Sequence, residues 1–427
     1  MSKLTRNRIP GQLVIQMTDR CNAMCPQCGM RVTERFKRTT LSMDRIKGIL
    51  DAAAAQSFQA VSFTGGEPLL NLEDLACLIR YAGKAGIPYI RTGTNGFVFQ
   101  DPENPNFESR VGKIAETLAD TPLRNFWISI DSYQDEIHEK MRGFSGVLRG
   151  IEKALPIFHS MGLYPSANLG ITRNVGGALT RSMRSEEPHP GPSYLDDFEQ
   201  VYYRAFSEFY SRIRNMGFSI VNACYPMSIH EEEMNSGLQA VYSASAIDGI
   251  VRFSREEKGR LFSSLLRAVE AHRSQIRIFS PLSALHALIS GYREERHSPR
   301  AYACRGGIDF FFVDSKDGLT YPCGYRGNEA MGSLRNLDLS ALGEELNANQ
   351  CRRCDWECFR DPSEMLGPLM EALQSPSQLL SRWRKDPRAF QYWIQDMLYY
   401  YASDFFDGRK PLNSRRLKFC QSLFSRS

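Results

Sequence analysis

Short runs of β-branched and aromatic residues alternate with helix-like segments from the start of the chain to about residue 226. Each run has the length and composition of a strand, and turn or polar residues separate it from the next segment. Strands that alternate with helices predict parallel strands joined by right-handed crossovers, in a doubly wound sheet or a barrel. The predicted strands are Gln12–Met17, Ala60–Thr64, Tyr89–Thr94, Phe126–Ile130, Ser166–Ile171 and Ser219–Ala223, and the predicted helices cover 41–57, 73–85, 108–119, 146–161 and 196–216.

The remainder of the chain shows three further patterns. Residues 254–290 repeat apolar side chains on one helical face, which predicts a helical bridge. Ile308 to Val313, followed by Gly318 to Pro322, has the pattern of a β-hairpin. Beyond about residue 365, aromatic residues stand among many Arg and Lys, and we interpret this tail as a helical extension packed on the body. The predicted organisation is a βα core at 10–226, a helical bridge at 227–300, a cysteine-rich segment at 301–362 and a C-terminal extension at 363–427.

Composition narrows the class of protein. The 427-residue chain is 42% hydrophobic and 24% charged, which excludes a largely disordered, collagen-like or coiled-coil protein. The net charge of +5 is too small over this length to indicate nucleic acid or an anionic membrane as a partner. The N-terminus lacks the apolar core of a signal peptide, and no apolar run reaches the roughly 18 residues of a membrane helix. The odd number of cysteines, 11, favours reduced thiols, metal ligands or catalysis over disulfides, so we expect a soluble, cytoplasmic protein.

Three cysteines follow the first predicted strand at short spacing. Cys21, Cys25 and Cys28 form a Cys-x3-Cys-x2-Cys loop. Thiolates in such a loop bind zinc or an iron–sulfur cluster. A structural zinc site needs four protein ligands, whereas three cysteines leave one iron of a cubane cluster open to another ligand. The count therefore favours an iron–sulfur cluster.

The second predicted strand ends in a glycine-rich turn. Thr64 is followed by Gly65, Gly66, Glu67 and Pro68. The glycines allow the backbone to approach a ligand closely, and free carbonyls and the Glu67 carboxylate can accept hydrogen bonds from an ammonium group. In a barrel of parallel strands the chemistry lies at the carboxyl ends of the strands, which is where this turn and the cysteine loop fall.

The Cys-x3-Cys-x2-Cys loop and the Gly-Gly-Glu-Pro turn resemble the signatures of the radical S-adenosylmethionine (radical SAM) enzymes. The resemblance implies a partial (β/α)6 TIM-like barrel over 10–226. It also implies a [4Fe–4S] cluster on Cys21, Cys25 and Cys28, whose open iron binds the amino and carboxylate groups of S-adenosylmethionine (SAM). Members often carry an aromatic residue before the third cysteine, where this chain has Gln27. The SAM-binding residues implied by position are Gly65, Gly66, Glu67, Pro68, Asn95, Ser129, Asp131, Arg142, Asn168 and Thr172.

A second group of cysteines lies in the cysteine-rich segment. On spacing alone, Cys304, Cys323, Cys351, Cys354 and Cys358 fit zinc or a second iron–sulfur cluster equally well. The Cys-x13-Gly-x4-Cys start resembles the SPASM and shorter Twitch domains, which follow radical SAM barrels and carry auxiliary [4Fe–4S] clusters. With five cysteines instead of seven, the resemblance implies one auxiliary cluster. Its ligands would be Cys304, Cys323, Cys351 and Cys354, with Cys358 spare, substituting for one of them, or in an outer position.

One further cysteine has a candidate catalytic position. Cys224 follows the sixth predicted strand and would lie near the barrel mouth, where its thiol could donate a hydrogen atom to a substrate radical. The alternative is an ordinary buried cysteine of the core.

The resemblance implies an enzyme that receives an electron from a flavodoxin- or ferredoxin-type donor and cleaves SAM to methionine and a 5′-deoxyadenosyl radical. That radical would abstract hydrogen from a peptide or natural-product substrate, which a separate peptide-recognition protein could present, and the auxiliary cluster would aid oxidation or substrate binding. One alternative is a small-molecule dehydrogenase acting on an aminocyclitol or sugar. Another, from a different class, is a zinc-stabilised non-catalytic protein whose basic, aromatic tail contacts nucleic acid.

Overall fold

All six strands predicted from the hydrophobic pattern are present and lie parallel in one sheet. The computed structural model describes residues 8–9, 11–28, 37–185, 187, 189–226, 249–293, 302–339, 342 and 355–424. Within these ranges the sheet has nine strands in the order β7-β6-β5-β4-β3-β2-β1-β8-β9. The strands are β1 Gly11–Thr18, β2 Phe58–Gly65, β3 Tyr89–Thr94, β4 Leu123–Ser129, β5 Ser166–Gly170, β6 Ile220–Cys224, β7 Arg277–Ile278, β8 Phe310–Val313 and β9 Thr320–Tyr321.

Helices connect the strands and form the outer layer of the fold, which is the α/β partial barrel that the sequence predicts. The helix after β1 is capped by Ser42, whose side chain accepts the Arg45 N–H and so satisfies a free backbone donor. The helices are α1 Met43–Ala55, α2 Leu72–Lys84, α3 Phe107–Ala119, α4 Asp135–Arg142, α5 Val147–Ser160, α6 Ala178–Ser182, α7 Pro192–Met216, α8 Arg255–His272, α9 Leu282–Arg293, α10 Glu357–Gln374, α11 Pro376–Lys385, α12 Pro387–Ala402 and α13 Ser414–Ser422.

The predicted hairpin joins the barrel sheet. β8 and β9 are antiparallel, with Phe312 opposite Tyr321, and β8 also pairs in parallel with β1 from Gln12 to Ile15. The backbone groups at this edge of β1 are thereby hydrogen-bonded instead of left exposed. The cysteine-rich segment is thus connected directly to the strand that precedes the first cysteine loop.

The two faces of the sheet differ in polarity. Side chains such as Leu13, Ile15 and Phe63 point to the outer helices and are fully buried among apolar groups. The inner face carries polar side chains. For example, Ser166 Oγ donates to Asn125 Oδ1 at 3.2 Å and accepts from Asn222 Nδ2 at 3.4 Å. Alternation along each strand produces this division.

The C-terminal extension closes the amino-terminal end of the barrel. The Phe406 ring packs on Phe279 with centroids 4.7 Å apart, and the Phe406 carbonyl accepts the Tyr89 hydroxyl at 3.3 Å. The opposite end, at which the strands finish, is where the cysteine loop lies. The four C-terminal helices α10 to α13 confirm the helical extension that the sequence predicts. No helix among the described residues has both the length and the apolar character needed to cross a membrane.

Asp396 of α12 joins the extension to the barrel helices. Its carboxylate is fully buried and accepts the backbone N–H groups of Leu282 and Ser283 at 3.0 and 2.8 Å. It also accepts the Ser283 hydroxyl at 2.8 Å and an N–H of Arg273 at 3.3 Å. One buried carboxylate therefore caps α9 and neutralises a buried guanidinium.

We predict that Asp396→Ala lowers the free energy of unfolding by about 3–5 kcal/mol, since the buried Arg273 would lose its ion-pair partner and Leu282 and Ser283 their acceptor. Urea unfolding followed by circular dichroism measures the change. Asp120→Ala serves as the control, because Asp120 pairs with Arg80 at the surface and such pairs contribute less than about 1 kcal/mol. Equal effects of the two substitutions would contradict the assigned role of Asp396.

Candidate active site

The first cysteine loop lies directly after β1, at the carboxyl end of the sheet. Cys25 is buried, Cys28 is partly buried and Cys21 is exposed, and the Cys28 N–H donates to the Cys25 carbonyl at 3.1 Å. Burial raises the pKa of the Cys25 thiol to about 11, while the Arg142 guanidinium opposes that shift and the Asp131 carboxylate adds to it. A thiolate at Cys25 therefore needs a positive centre beside it.

The donor set of this loop fits an iron–sulfur cluster better than a single metal ion. Cys21 and Cys28 lie within electrostatic range of Cys25. A structural zinc ion needs four protein ligands, and this loop supplies three thiols. In a cubane cluster each thiolate binds a different iron, so three cysteines leave one iron open to another ligand.

The glycine turn packs against the start of the cysteine loop. The Gly66 N–H donates to the Thr18 carbonyl at 2.7 Å, and the Glu67 N–H donates to the Arg20 carbonyl at 2.9 Å. A Cβ on Gly65, whose φ is +153°, would lie 2.1 Å from the Thr18 oxygen, and one on Gly66 would lie 2.0 Å from the Arg20 oxygen. Only glycine permits this approach of two backbones.

Glu67 connects the ends of β2 and β3. The side chain is 1% exposed, its Oε2 accepts the Asn95 N–H at 2.6 Å and its Oε1 accepts the Leu69 N–H at 2.9 Å. Burial raises the pKa of Glu67 to about 7, although both backbone N–H groups favour the carboxylate. Pro68 begins the short 3₁₀ turn that follows. Each oxygen keeps acceptor capacity for a ligand, so the predicted SAM contact of Glu67 stays a prediction beside this structural role.

Asn95 continues the connection from Glu67 to the cysteine loop. Its Nδ2 donates to Asn22 Oδ1 at 3.0 Å and approaches Cys21 Sγ at 3.6 Å, while its Oδ1 accepts the Phe97 N–H at 2.9 Å. The ends of three neighbouring strands are thus joined around the loop. The predicted SAM contact of Asn95 is not tested by these bonds.

Arg142 is held between Asp131 and Cys25. Its Nε and one terminal nitrogen bind the two Asp131 oxygens at 2.6 and 2.7 Å, and its other terminal nitrogen lies 3.7 Å from Cys25 Sγ. Although burial opposes ionisation of Asp131, the Arg142 charge and the contact with His138 lower the pKa of Asp131 to about 2. The pair therefore stays ionised, and it places a positive charge beside the cysteine loop.

His138 contacts the Asp131–Arg142 pair, and it is not among the site residues predicted from the sequence. It is fully buried, and its Nδ1 accepts the Asp131 N–H at 3.1 Å. Its other ring nitrogen has no partner among the described residues. The spacing of His138 and Arg142, one turn apart after the fourth strand, is the signal in the sequence.

The other predicted SAM-binding residues lie along the ends of β4 and β5. Ser129 is opposite Asn168 in the parallel register and is partly exposed. Asn168 exchanges hydrogen bonds with Cys224 at 3.4 and 3.5 Å. Thr172 is buried and its hydroxyl accepts the Asn174 N–H at 3.1 Å. Their contacts with SAM stay predictions.

The second group of cysteines is only partly described. Cys351 and Cys354 lie outside the described residues. Cys304 and Cys323 lie on either side of the β8–β9 hairpin in one apolar cluster, and Cys304 Sγ accepts the Gly306 N–H at 3.4 Å. Cys358 contacts the same cluster, but its thiol donates to Glu357 Oε1 at 3.4 Å and lies within electrostatic range of Cys224.

A parallel βα barrel with a three-cysteine loop at the carboxyl end of its first strand defines a class of iron–sulfur proteins. The model of the radical SAM superfamily matches residues 15–168, which run from β1 into β5.

Relatives identified by sequence match the same region. GTP 3′,8-cyclase of Alkaliphilus metalliredigens is 32% identical over 159 residues, which are 36% of this chain and 46% of that protein. GTP 3′,8-cyclase of Vibrio atlanticus is 28% identical over 151 residues, which are 34% of this chain and 42% of that protein. The chain thus spans less than half the length of the curated relatives it matches.

The fold extends the similarity over more of the chain. The structure of Streptococcus suis SuiB bound to the precursor peptide SuiA superposes with a TM-score of 0.51 and 15% identity, covering 81% of this chain and 68% of SuiB. The SAM-bound form of SuiB has the same TM-score, covering 78% and 65% of the two chains. At this identity the likeness establishes the fold.

We predict that Gly66→Ala lowers the free energy of unfolding by about 1–3 kcal/mol, because the added Cβ displaces the Arg20 backbone. Denaturant unfolding of the purified chain measures it. Gly112→Ala is the matched control, because a Cβ there meets nothing within 4 Å and a helical Gly→Ala change stabilises by about 0.5–1 kcal/mol. A Gly66→Ala chain as stable as wild type would contradict the close approach.

We also predict a pH dependence for the contribution of Asp131. Its folded-state pKa of about 2 lies below the ordinary 3.8, so its stabilisation is complete above pH 3.8 and is lost as pH falls through 2. The difference in unfolding free energy between wild type and Asp131→Asn should therefore be smaller at pH 3 than at pH 7, by about 1 kcal/mol. Urea unfolding at both pH values measures this. An equal difference at both would show that Asp131 does not act through its charge.

Proposed function

We propose that the chain is a radical SAM enzyme that binds its catalytic cluster through Cys21, Cys25 and Cys28. The single observation that carries the proposal is the three-cysteine loop held against the glycine turn at the carboxyl end of a parallel barrel. When bound there, a [4Fe–4S] cluster and SAM supply reductive cleavage of SAM to methionine and a 5′-deoxyadenosyl radical, which abstracts hydrogen from a substrate. The electron would come from a flavodoxin- or ferredoxin-type donor.

The residues around the loop support this chemistry by position and charge. Arg142 faces Cys25 at 3.7 Å and offsets the negative charge that thiolates bring. Asp131 holds Arg142 by two bonds and prevents it from turning away. Glu67 and Asn95 connect neighbouring strand ends to the loop. These contacts keep the site in one geometry before any ligand binds, which reduces the ordering needed for catalysis.

An auxiliary [4Fe–4S] cluster in a SPASM- or Twitch-like segment is part of the proposal. The support is the cysteine spacing, together with the position of Cys304 and Cys323 beside one hairpin. Cys351 and Cys354 would complete four ligands. The cluster would aid oxidation of the substrate or bind it. Cys224 at the end of β6 is the candidate hydrogen donor.

Two substrate classes have separate support. A peptide or natural-product substrate, with a separate peptide-recognition protein, is the class we favour, and SuiB is described with a precursor peptide. A small-molecule substrate is the second candidate, because the sequence relatives are named as cyclases of GTP. The latter match covers 36% of the chain and lies in the barrel. A gene for a short precursor peptide beside this gene would favour the first class, and sugar or cyclitol genes the second.

We predict that replacing Cys21, Cys25 and Cys28 together by Ala abolishes 5′-deoxyadenosine formation from SAM under dithionite. Iron bound after anaerobic reconstitution should fall from about eight to about four per chain, because one of two cubane clusters is lost. Mass spectrometry of the nucleoside and iron analysis measure both effects.

Cys77→Ala is the control, because Cys77 is exposed on α2, away from both cysteine groups. Persistence of 5′-deoxyadenosine in the triple variant would refute the radical mechanism. Zinc in place of iron in the wild-type chain would instead support the non-catalytic binding protein.

A further inference from the structure

The first turn of α10 enters the barrel beside the end of β6. Glu357 begins this helix, and its Oε2 accepts the Tyr225 N–H at 3.0 Å. Phe359, two residues later, packs on Phe310 of β8 with ring centroids 5.6 Å apart. The helix therefore crosses the inner side of the sheet from β6 toward β8. Its first residues face the interior of the barrel.

One carboxylate connects the segments that carry Cys224 and Cys358. Cys358 Sγ donates to Glu357 Oε1 at 3.4 Å, and Glu357 Oε2 accepts the N–H of Tyr225, the residue after Cys224. On its other side Cys224 exchanges hydrogen bonds with Asn168 at 3.4 and 3.5 Å. No cation is paired with Glu357 in the described part of the chain. The carboxylate thus accepts the Cys358 thiol on one oxygen and the backbone next to Cys224 on the other.

These groups line a space inside the barrel. Cys224, Glu357 and Cys358 each keep some accessible surface, although residues before and after them in the chain are buried. Neighbouring inner-face positions show the same partial exposure, and the Arg91 guanidinium lies over the Trp127 ring at 5.0 Å. We interpret the partial exposure of these inner-face side chains as an internal chamber that solvent reaches. The inner-face residues that share it are Arg91, Trp127, Ser129, Asn168 and Cys224.

The position of Cys358 separates it from the described thiols of the second group. Its electrostatic neighbours are Glu357, Cys224 and Arg91. Cys304, in contrast, turns toward the backbone of Gly306 beside the hairpin. Among the described cysteines of the second group, Cys358 is the one bonded to Glu357, whose carboxylate also accepts the N–H of the residue after Cys224.

We propose that Cys224 and Cys358, positioned by Glu357, form a two-thiol hydrogen-donor site in the barrel chamber, and that Cys358 is not a ligand of the auxiliary cluster. This rests on the proposed radical SAM function. The substrate it suits is one whose carbon radical takes back a hydrogen atom. Such a substrate leaves as an isomer with its hydrogen count unchanged, instead of as a dehydrogenated product.

The 5′-deoxyadenosyl radical takes a hydrogen atom from a substrate carbon, and the resulting carbon radical takes one from the Cys224 thiol. The S–H bond breaks, the new C–H bond forms, and a sulfur radical remains. Cys358 can pass its own hydrogen atom to that sulfur, because exchange between two thiols is nearly thermoneutral. One electron from the flavodoxin- or ferredoxin-type donor and one proton from water restore the thiol.

Deuterium transfer without substrate tests the site. In D2O both thiols carry deuterium, so a 5′-deoxyadenosyl radical formed under dithionite should abstract it and yield 5′-deoxyadenosine with one deuterium. We expect the deuterated fraction to fall about threefold or more in Cys224→Ala and about twofold in Cys358→Ala, because proximity governs the transfer. Cys420→Ala, which removes a buried thiol of the C-terminal extension, should leave the fraction unchanged.

Iron content tests the ligand assignment independently. Cys358→Ser should retain the iron of the wild-type chain, whereas Cys323→Ser should lose about four irons per chain. Loss of as much iron from Cys358→Ser as from Cys323→Ser would overturn the proposal. So would a deuterated fraction that neither Cys224→Ala nor Cys358→Ala lowers. Absence of 5′-deoxyadenosine from the wild-type chain would instead refute the proposed function on which the site rests.

Discussion

The site depends on the contact between the backbone of Gly65 and Gly66 and the backbone of Thr18 and Arg20. Because no side chain separates them, the end of β2 supports the residues that lead into the cysteine loop, through hydrogen bonds of 2.7 and 2.9 Å. Glu67 then continues from this contact to Asn95 at the end of β3. The loop is thus anchored by neighbouring strands and not by its own short sequence.

Electrostatics adds a second constraint on the same loop. The Cys25 thiol resists ionisation because it is buried, and the Arg142 guanidinium lies 3.7 Å from its Sγ. Arg142 in turn needs Asp131, since a lone guanidinium would be free to turn toward solvent. The ordering of charges, carboxylate then guanidinium then thiol, runs from the protein interior outward to the loop. The Arg142 charge favours the thiolate form of Cys25, which is the form that binds a metal.

Much of the fold can be predicted from the sequence. A continuous apolar run indicates a buried strand, and one apolar face indicates the side of a helix that packs on the core. The six core strands, the hairpin and the helical extension all appear as predicted, although β4 begins at Leu123, three residues before the predicted Phe126. α4 escaped prediction because it is short and mostly polar, with only His138 and Met141 buried. Its neighbour Asp131 carries no local pattern that reveals its pairing with Arg142.

What sequence patterns could not provide is contact between distant segments. The spacing of Cys358 beside Cys351 and Cys354 suggests a shared role. In the fold, however, its thiol donates to Glu357, whose carboxylate also accepts the N–H of Tyr225, more than 100 residues earlier. Likewise the predicted cysteine-rich segment is continuous with the barrel sheet, because β8 pairs with β1.

That pairing of β1 with β8 has a consequence for how the chain is made. Gln12 and its partner Phe310 are separated in sequence by almost the whole barrel, so β1 emerges from the ribosome long before β8 has been synthesised. Contacts of such large sequence separation form late in folding. Until then the first cysteine loop belongs to a sheet with an open edge. The loop is therefore accessible from that edge during synthesis, before the C-terminal half of the chain completes the sheet.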